Sequence, residues 1–187
     1  MACTCPFTTW LRRERVRRRP DGAPGTRTRV HSPGERLVRR GVVADIFIVG
    51  GAAMALAYDA KRVTRDVDAM FVPHGVVLDE ARAVADDLGL PPWWLNEQAS
   101  VYVSGKDDPG RRRVFDHPGL RVMAASPEHI FAMKALAART RDVDDLRTLA
   151  ALATVTTVDD AIRLCSDFYP DESISPRAMG VIRELFG

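Results

Sequence analysis

The first half of the sequence places short apolar segments between turn residues and one longer amphipathic segment. Asp45 to Val49 is β-branched or aromatic and apolar on both faces, which is typical of a central, doubly covered strand. Asp66 to Val72 predicts a second strand, and Val76 to Leu88 predicts an amphipathic helix that Gly89 ends. The same reasoning predicts a helix end at Glu35 to Arg40 before Gly41, a short helix over Ala52 to Tyr58, and short strands at Val101 to Val103, Arg113 to Phe115 and Leu120 to Ala124.

The second half of the sequence has a helical pattern. Ser126-Pro127-Glu128 begins a helix that runs to about Arg139. Further helices are predicted from Val143 to Ala153, from Val158 and from Pro176. The order predicts an α/β or α+β fold: a small mixed sheet flanked by helices, with a helical C-terminal part. We assign one domain over 34–187, with its sheet core in 34–125 and its helical part in 126–187.

The charge is unevenly distributed along the 187 residues. Residues 1–41 carry eleven arginines and three acidic residues, whereas the rest of the chain carries 16 basic and 22 acidic residues. Residues 1–33 are predicted to be a basic, disordered N-terminal arm. The arm either contacts nucleic acid or another anionic surface, or results from a start site placed too far upstream. Its apolar stretch, Phe7 to Leu11, is too short for a secretory signal.

Cysteine content and hydropathy exclude several classes of protein. Cys3, Cys5 and Cys165 lack metal-ligand spacing, so no zinc site is expected. A reducing, cytoplasmic location is predicted. No segment approaches the roughly 20 consecutive apolar residues that a membrane-spanning helix needs.

Two predicted turns carry the candidate chemistry. Gly50-Gly51 lies between a strand and a helix, where glycines let backbone amides approach an anion and the helix N-terminus attracts it. Asp66 and Asp68 are two residues apart on a predicted strand, so their side chains are expected on one face. Paired carboxylates suit Mg²⁺ or Mn²⁺, with substrate phosphates completing the coordination. A phosphate site beside a metal site predicts metal-assisted phosphoryl or nucleotidyl transfer.

A lysine in an apolar helix adds to this picture. Lys134 lies on a core-facing stripe, so its ammonium group either extends to solvent or meets an anion such as a triphosphate. Downstream, Asp142 is a plausible N-cap, and Asp145 lies one turn further on. Asp145 is positioned either to orient Lys134 or to face the nucleotide.

In this order the residues resemble the polymerase-β-like nucleotidyltransferase superfamily. The segments that carry the resemblance are Gly-Gly-x-Ala-x-x-Leu-Ala from Gly50, Arg-x-Thr-x-Asp-x-Asp from Arg62, Lys-x-x-Ala from Lys134 and Arg-Asp-x-x-Asp-Leu from Arg141. Within the superfamily the chain is similar to AbiEii-type proteins and short bacterial relatives, many of them toxins of type IV toxin–antitoxin pairs. The resemblance covers about Leu37 to Leu152.

The resemblance implies a set of residue roles. Asp66 and Asp68 would bind the divalent cations, and Gly50 and Gly51 would hold the triphosphate. Lys134 would contact phosphate as part of the catalytic set, and Arg62 would be a further phosphate contact. Thr64 would stand at the serine/threonine position before the metal carboxylates. Asp142, as a catalytic residue, and Asp145, as a nucleotide-binding residue, would fall on the family's Arg-Asp-x-x-Asp pair. The resemblance also implies transfer of a nucleoside monophosphate from an NTP to RNA, with the tRNA 3′ end as one acceptor, and a cognate antitoxin protein as partner.

One element of the family pattern is missing. Polymerase-β-like enzymes usually carry a third carboxylate on a later strand, and Leu120 to Met123 has none. Asp116 and Asp142 are the candidates to replace it. Two alternatives stay open. The acidic body of the chain suits a nucleotidyltransferase that acts on a small cationic molecule with hydroxyl groups, such as an aminoglycoside. The missing carboxylate favours a non-catalytic domain that binds a nucleotide or a partner protein.

The histidines and tryptophans give weaker signals. His74, His117 and His129 have no spacing for a metal site and are expected in surface or capping roles. Trp93-Trp94 is expected to close a core edge, with base stacking as the alternative.

Overall fold

The computed structural model describes residues 33–58, 64 and 66–187. These residues form two compact units. The first comprises the chain through Gln98 together with Arg113–Ala124, and the second comprises Ala99–Arg112 and Ala125–Gly187. Residues 99–112, which the sequence analysis included in the sheet core, therefore belong to the second unit. The basic arm and Arg62 lie outside the described residues, apart from Pro33.

Five strands form one mixed sheet, in the order β3-β2-β1-β5-β4. They are β1 (Ala44–Ile48), β2 (Val67–Val72), β3 (Leu95–Asn96), β4 (Arg112–His117) and β5 (Leu120–Ala124). β1 is antiparallel to β2 and parallel to β5, and β3 is parallel to β2. Ile48 at the end of β1 pairs with Ala69 near the start of β2 and with Ala124 at the end of β5. The ends of β1 and β5 and the starts of β2 and β3 thus share one end of the sheet, which we call the Gly50 end.

One face of the sheet is covered by two helices, α1 (Pro33–Arg39) and α3 (His74–Leu88). The strand residues on this face are buried: Ala44, Ile46, Ile48, Val67, Ala69, Phe71, Leu120, Val122 and Ala124. They meet apolar helix positions such as Leu37 and Val77. The Arg40 guanidinium, one residue after the end of α1, donates a 3.0 Å hydrogen bond to Glu80 on α3. Alternate strand residues, including Asp68 and Met70, lie on the less buried face.

The predicted helix after β1 begins earlier and is less regular than expected. A four-residue helix, α2, spans Gly50–Ala53, and one π-helical segment spans Met54–Tyr58. Gly50 and Gly51 therefore form the first turn of the helix and do not precede it. Gly50 has φ +58°, a left-handed conformation that glycine adopts without strain.

The connector after α3 departs from the sequence prediction at two places. Gly89 ends α3 with φ +60°, as predicted. Leu95–Asn96 is a strand, although Pro91 to Leu95 was expected to be a connector. Ser100–Tyr102 is a 3₁₀ helix, so the predicted strand over Val101 to Val103 is wrong. Each of these segments is only two or three residues long, so its conformation depends on tertiary pairing more than on local propensity.

The second unit contains four helices: α4 (Pro127–Ala137), α5 (Val143–Leu152), α6 (Val158–Phe168) and α7 (Pro176–Phe186). α4 packs against each of the other three. Ser126 caps α4 by accepting a hydrogen bond from the His129 amide, and Thr157 and Asp160 form a capping box on α6. The described residues thus contain a five-stranded mixed sheet and seven α-helices, which confirms the predicted α/β fold class with a helical C-terminal part.

Candidate functional site

The Gly50-Gly51 turn lies against polar side chains at the Gly50 end of the sheet. A Cβ atom built on Gly51 would lie 3.2 Å from Thr64 Oγ1, and one built on Gly50 would lie 3.6 Å from Asp68 Oδ2. Gly50 is buried and Gly51 is half-buried, and because neither has a side chain, Asp68 and Thr64 approach their backbone closely. Amides in the first helical turn have no intrahelical acceptor, so they are available to an anion.

Thr64 links the glycines to the first of the two predicted metal carboxylates. Its hydroxyl donates to the Asp66 carbonyl oxygen at 3.1 Å and lies 3.4 Å from Asp66 Oδ1. Asp66 lies in a bend just before β2, which begins at Val67, so the expected strand alternation applies to Asp68 but does not reach Asp66. Both carboxylates are half-buried. The structure therefore brings Gly50, Gly51, Thr64, Asp66 and Asp68 to one place.

The donor set can be tested against a divalent cation. Among residues 33–58, 64 and 66–187, no three His, Cys, Asp or Glu side chains group into a metal site. Two half-buried carboxylates leave most of an octahedron to other oxygens, which is the pattern by which Mg²⁺ binds with substrate phosphates and water. The residues fit Mg²⁺ or Mn²⁺ delivered with a nucleotide, and they do not fit a cage built from protein ligands alone.

Asn96 lies beside Asp68, a position that the sequence pattern did not indicate. β3 runs parallel to β2 with Asn96 in register with Asp68. Paired residues on neighbouring strands project to the same face of a sheet, about 5 Å apart. The signal was available in the sequence only as a polar residue after Trp94-Leu95, and the two prolines before them indicated a connector.

The structure corrects the prediction that Asp116 replaces a third carboxylate in this site. Asp116 lies near the end of β4, next to the two-residue turn that leads into Leu120. Leu120 pairs with Ala44 at the start of β1, so Asp116 lies at the opposite end of the sheet from Gly50. The length of β5 separates the two ends, roughly 13 Å at about 3.3 Å per residue. The Asp116 carboxylate accepts a 2.8 Å hydrogen bond from Arg113 instead.

Lys134 belongs to a buried ion cluster in the second unit. Its Nζ lies 2.5 Å from Asp142 Oδ1 and 2.9 Å from Asp145 Oδ2, and all three residues are at most 8% exposed. The alternative in which Lys134 extends to solvent is therefore wrong. Asp142 makes no side-chain capping bond to α5, because its carboxylate accepts from Lys134. The expected contacts of this cluster with a nucleotide stay a prediction.

A second buried polar cluster surrounds His129, which was expected at the surface or in a cap. His129 is 1% exposed, and its Nδ1 lies 3.2 Å from Asp108 Oδ2. Its Nε2 accepts from the Ser104 amide, so Nδ1 carries the proton and donates it to Asp108. Burial raises the pKa of Asp108, but hydrogen bonds from His129 and from Ser126 together hold it below its usual value. This cluster joins 104–108 to the start of α4 and is structural.

The two tryptophans have different environments. Trp94 is 4% exposed, and its Nε1 donates to the Ala81 carbonyl at 2.8 Å, which confirms a core-closing role for this residue. Trp93 is 54% exposed.

With this geometry established, comparison with known proteins identifies the family. Residues 34–160 match the family described as "Nucleotidyltransferase of unknown function (DUF6036)", and the chain belongs to this family. No curated protein and no solved structure matches the chain. Within the part of the chain that the structure describes, no helix has the length and apolar character needed to cross a membrane. The family is therefore that of a nucleotidyltransferase, whose description implies an NTP substrate but names no acceptor.

Proposed function

We propose that this protein is a metal-dependent nucleotidyltransferase whose site is the Gly50 end of the sheet. The observation that carries the proposal is the convergence there of a glycine turn with Thr64 and the two carboxylates Asp66 and Asp68. A glycine turn is suited to phosphate, and paired carboxylates are suited to a divalent cation. A glycine turn or a pair of carboxylates alone is common in proteins. Nucleotidyl transfer requires a phosphate site and a cation site in contact with each other.

The glycine turn would bind the triphosphate. Gly50 enters α2 in the left-handed conformation, and a Cβ atom on Gly51 would lie 3.2 Å from Thr64 Oγ1. Backbone N–H groups in this arrangement donate to phosphate oxygens, and the partial positive charge of a helix start favours an anion. The turn thereby holds the phosphates beside Asp68.

Asp66 and Asp68 would hold the cation. When bound, Mg²⁺ or Mn²⁺ supplies charge neutralisation of the triphosphate and lowers the pKa of an oxygen bound to it. Thr64 fixes the Asp66 backbone through its 3.1 Å hydrogen bond, so the first carboxylate is held in relation to the glycine turn.

The transfer itself makes and breaks one bond at the α-phosphorus. The acceptor hydroxyl oxygen forms the new P–O bond and loses its proton to solvent, while the bond to the bridging oxygen of pyrophosphate breaks and pyrophosphate leaves. Backbone amides of the turn stabilise the charge that develops on the phosphates, which is the usual largest contribution in such sites. Among the described residues no group of three His, Cys, Asp or Glu side chains forms a metal site, so the role that we assign to Asp66 and Asp68 is to hold the cation together with the substrate phosphates.

For the acceptor we propose RNA, with the tRNA 3′ end as the first to examine, in a toxin role with a protein antitoxin. The sequence resemblance to AbiEii-type proteins and short bacterial toxins supports this choice. The eleven arginines in residues 1–41 support it too, because arginine is suited to RNA phosphates.

The experiment is label transfer from each α-³²P NTP to total tRNA, with Mg²⁺ or Mn²⁺, for the full chain. Asp68→Ala should abolish transfer and the release of pyrophosphate. Asp116→Ala is the matched control, since it removes an exposed carboxylate at the far end of the sheet, and it should keep full activity. Equal turnover by the wild type and by folded Asp68→Ala would refute the proposal.

Salt and acceptor class separate the alternatives. Transfer to RNA should weaken steeply with rising salt, because phosphate contacts release counterions. A chain lacking residues 1–32 distinguishes the contribution of the arm. Transfer to an aminoglycoside but not to RNA would favour the small-molecule alternative. Metal-dependent NTP binding with no pyrophosphate release from any acceptor would favour the non-catalytic domain, for which the missing third carboxylate is the supporting observation.

A further inference from the structure

Asn96 occupies a position in the candidate site that neither the motif pattern nor the family description assigns. It is the only asparagine in the sequence, and Gln98, two residues later, is the only glutamine. The two side-chain amides of the chain thus lie in one tripeptide, directly after Trp94-Leu95. Asn96 is half-buried and in register with Asp68 on the neighbouring strand.

The pairing of β3 with β2 is firmly held. The Val67 amide donates to the Trp94 carbonyl at 2.6 Å, and the Trp94 indole donates to Ala81 on α3. Since Trp94 is buried in the core of the first unit, the register of Asn96 with Asp68 is fixed by packing from both sides.

The orientation of the Asn96 amide follows from one hydrogen bond. The Gln98 backbone N–H donates to Asn96 Oδ1 at 2.9 Å, so this atom is the oxygen and the other is the NH₂ group. The adjacent carboxylate of Glu97 is hydrogen-bonded with His74. The group that β3 offers beside Asp68 is therefore a donor with two N–H bonds, whereas a third carboxylate would have been an acceptor.

We propose that Asn96 Nδ2 donates a hydrogen bond to a phosphate oxygen of the NTP bound at the Gly50 end of the sheet. Asn96 is then a nucleotide-binding residue and has no part in proton abstraction. A donor is matched to an anionic oxygen, and it neither competes with Asp68 for the cation nor adds a third negative charge. This inference rests on the proposed function and assigns a further residue to the same site.

The direction in which two substitutions change the affinity for NTP·Mg²⁺ tests the assignment of Asn96. Loss of a hydrogen bond to a charged group weakens binding by about 10- to 100-fold, so we expect that loss in NTP·Mg²⁺ affinity for Asn96→Ala. Asn96→Asp should bind more weakly still, because a carboxylate then faces the phosphate. Gln98→Ala is the matched control: it removes the other side-chain amide, keeps the backbone N–H that holds Asn96 Oδ1, and should bind as the wild type does.

An experiment on the unchanged protein avoids any question of variant folding. Because the chain has one asparagine, selective ¹⁵N-Asn labelling gives a single pair of side-chain amide signals in a two-dimensional NMR spectrum. Addition of NTP with Mg²⁺ should shift at least one of the two protons beyond any change that Mg²⁺ alone causes, and no further shift would count against the assignment.

The outcomes separate this inference from the proposed function. If the wild type binds no NTP with metal, the proposed function fails and this inference fails with it. If the wild type binds but Asn96→Ala binds equally well, only the role of Asn96 is overturned. Tighter binding by Asn96→Asp would make Asn96 a metal-side residue and overturn its assignment as a phosphate donor.

Discussion

A methyl group added at Gly50 should weaken nucleotide binding by more than the accompanying loss of stability can explain. Gly50 has φ +58°, and an added Cβ would lie 3.6 Å from Asp68 Oδ2, an ordinary contact. Gly50→Ala therefore introduces backbone strain but no steric clash with the carboxylate. Its methyl group would stand between the turn and Asp68, where the phosphate and cation are expected.

The size of the stability effect follows from the backbone conformation. A non-glycine residue in the left-handed region costs about 1–2 kcal/mol. For a chain of this size, each 1 kcal/mol lowers the melting temperature by roughly 2–4 °C. Gly89 provides the matched control, because it has φ +60° and an added Cβ there would have nothing within 4 Å. The two alanine variants should therefore lose similar stability.

Thermal unfolding and calorimetric titration with NTP and Mg²⁺ measure the two effects separately. We expect both variants to melt roughly 2–8 °C below the wild type. Gly89→Ala should bind NTP normally, whereas Gly50→Ala should lose at least 10-fold in affinity. Equal affinities for the two variants would refute the claim that the Gly50 turn contacts the nucleotide.

Three further predictions concern the second unit. Lys134→Met should lower the free energy of unfolding by about 3–5 kcal/mol in urea titrations, because it leaves the buried carboxylates of Asp142 and Asp145 without their cation. The exposed control Arg147→Met should change the free energy of unfolding by under about 1 kcal/mol. Similar losses for both variants would contradict a stabilising role of the buried ion cluster. The hydrogen bonds that lower the pKa of Asp108 stabilise the fold above the unfolded pKa of 3.8, and this contribution is lost as pH falls through the lower folded pKa. The difference in free energy of unfolding between the wild type and Asp108→Asn should therefore be largest near pH 6 and decrease below pH 4. A difference that does not depend on pH would contradict the stabilising role of these hydrogen bonds. Burial raises the pKa of Cys165 to about 12, so with Cys3 and Cys5 replaced by serine, iodoacetamide should modify the native protein only after unfolding, as mass spectrometry would show.

The sequence predicted those elements whose signal is local. The β-branched run of β1, the amphipathic period of α3 with its terminal Gly89, and the Ser126-Pro127 start of α4 each depend on residues within a few positions, and each is present in the structure. The candidate site residues could also be proposed from the sequence, because Gly50-Gly51 and Asp66-Val67-Asp68 follow successive predicted elements.

The sequence could not predict features that depend on distant partners. β3 has two residues and exists because Val67 and Asp68 pair with it, so Asn96 could not be recognised as a neighbour of Asp68. Asp142 has the sequence position of an N-cap, but a buried ammonium group takes its carboxylate.

The position of a carboxylate relative to the site is also a matter of topology. Asp116 was a candidate because it lies just before the turn that leads into Leu120 to Ala124, yet that turn lies at the far end of the sheet. Strand direction, which local sequence does not encode, decides such cases.

The measurement that tests the central claim most directly is calorimetric titration of the full chain with each NTP in the presence and absence of Mg²⁺, for the wild type, Asp66→Ala/Asp68→Ala and Asp116→Ala. We predict binding that requires Mg²⁺, that the double substitution abolishes and that Asp116→Ala leaves intact. Metal-independent binding, or equal affinity in the folded double variant, would contradict a nucleotide site built on the Gly50 turn and the two carboxylates.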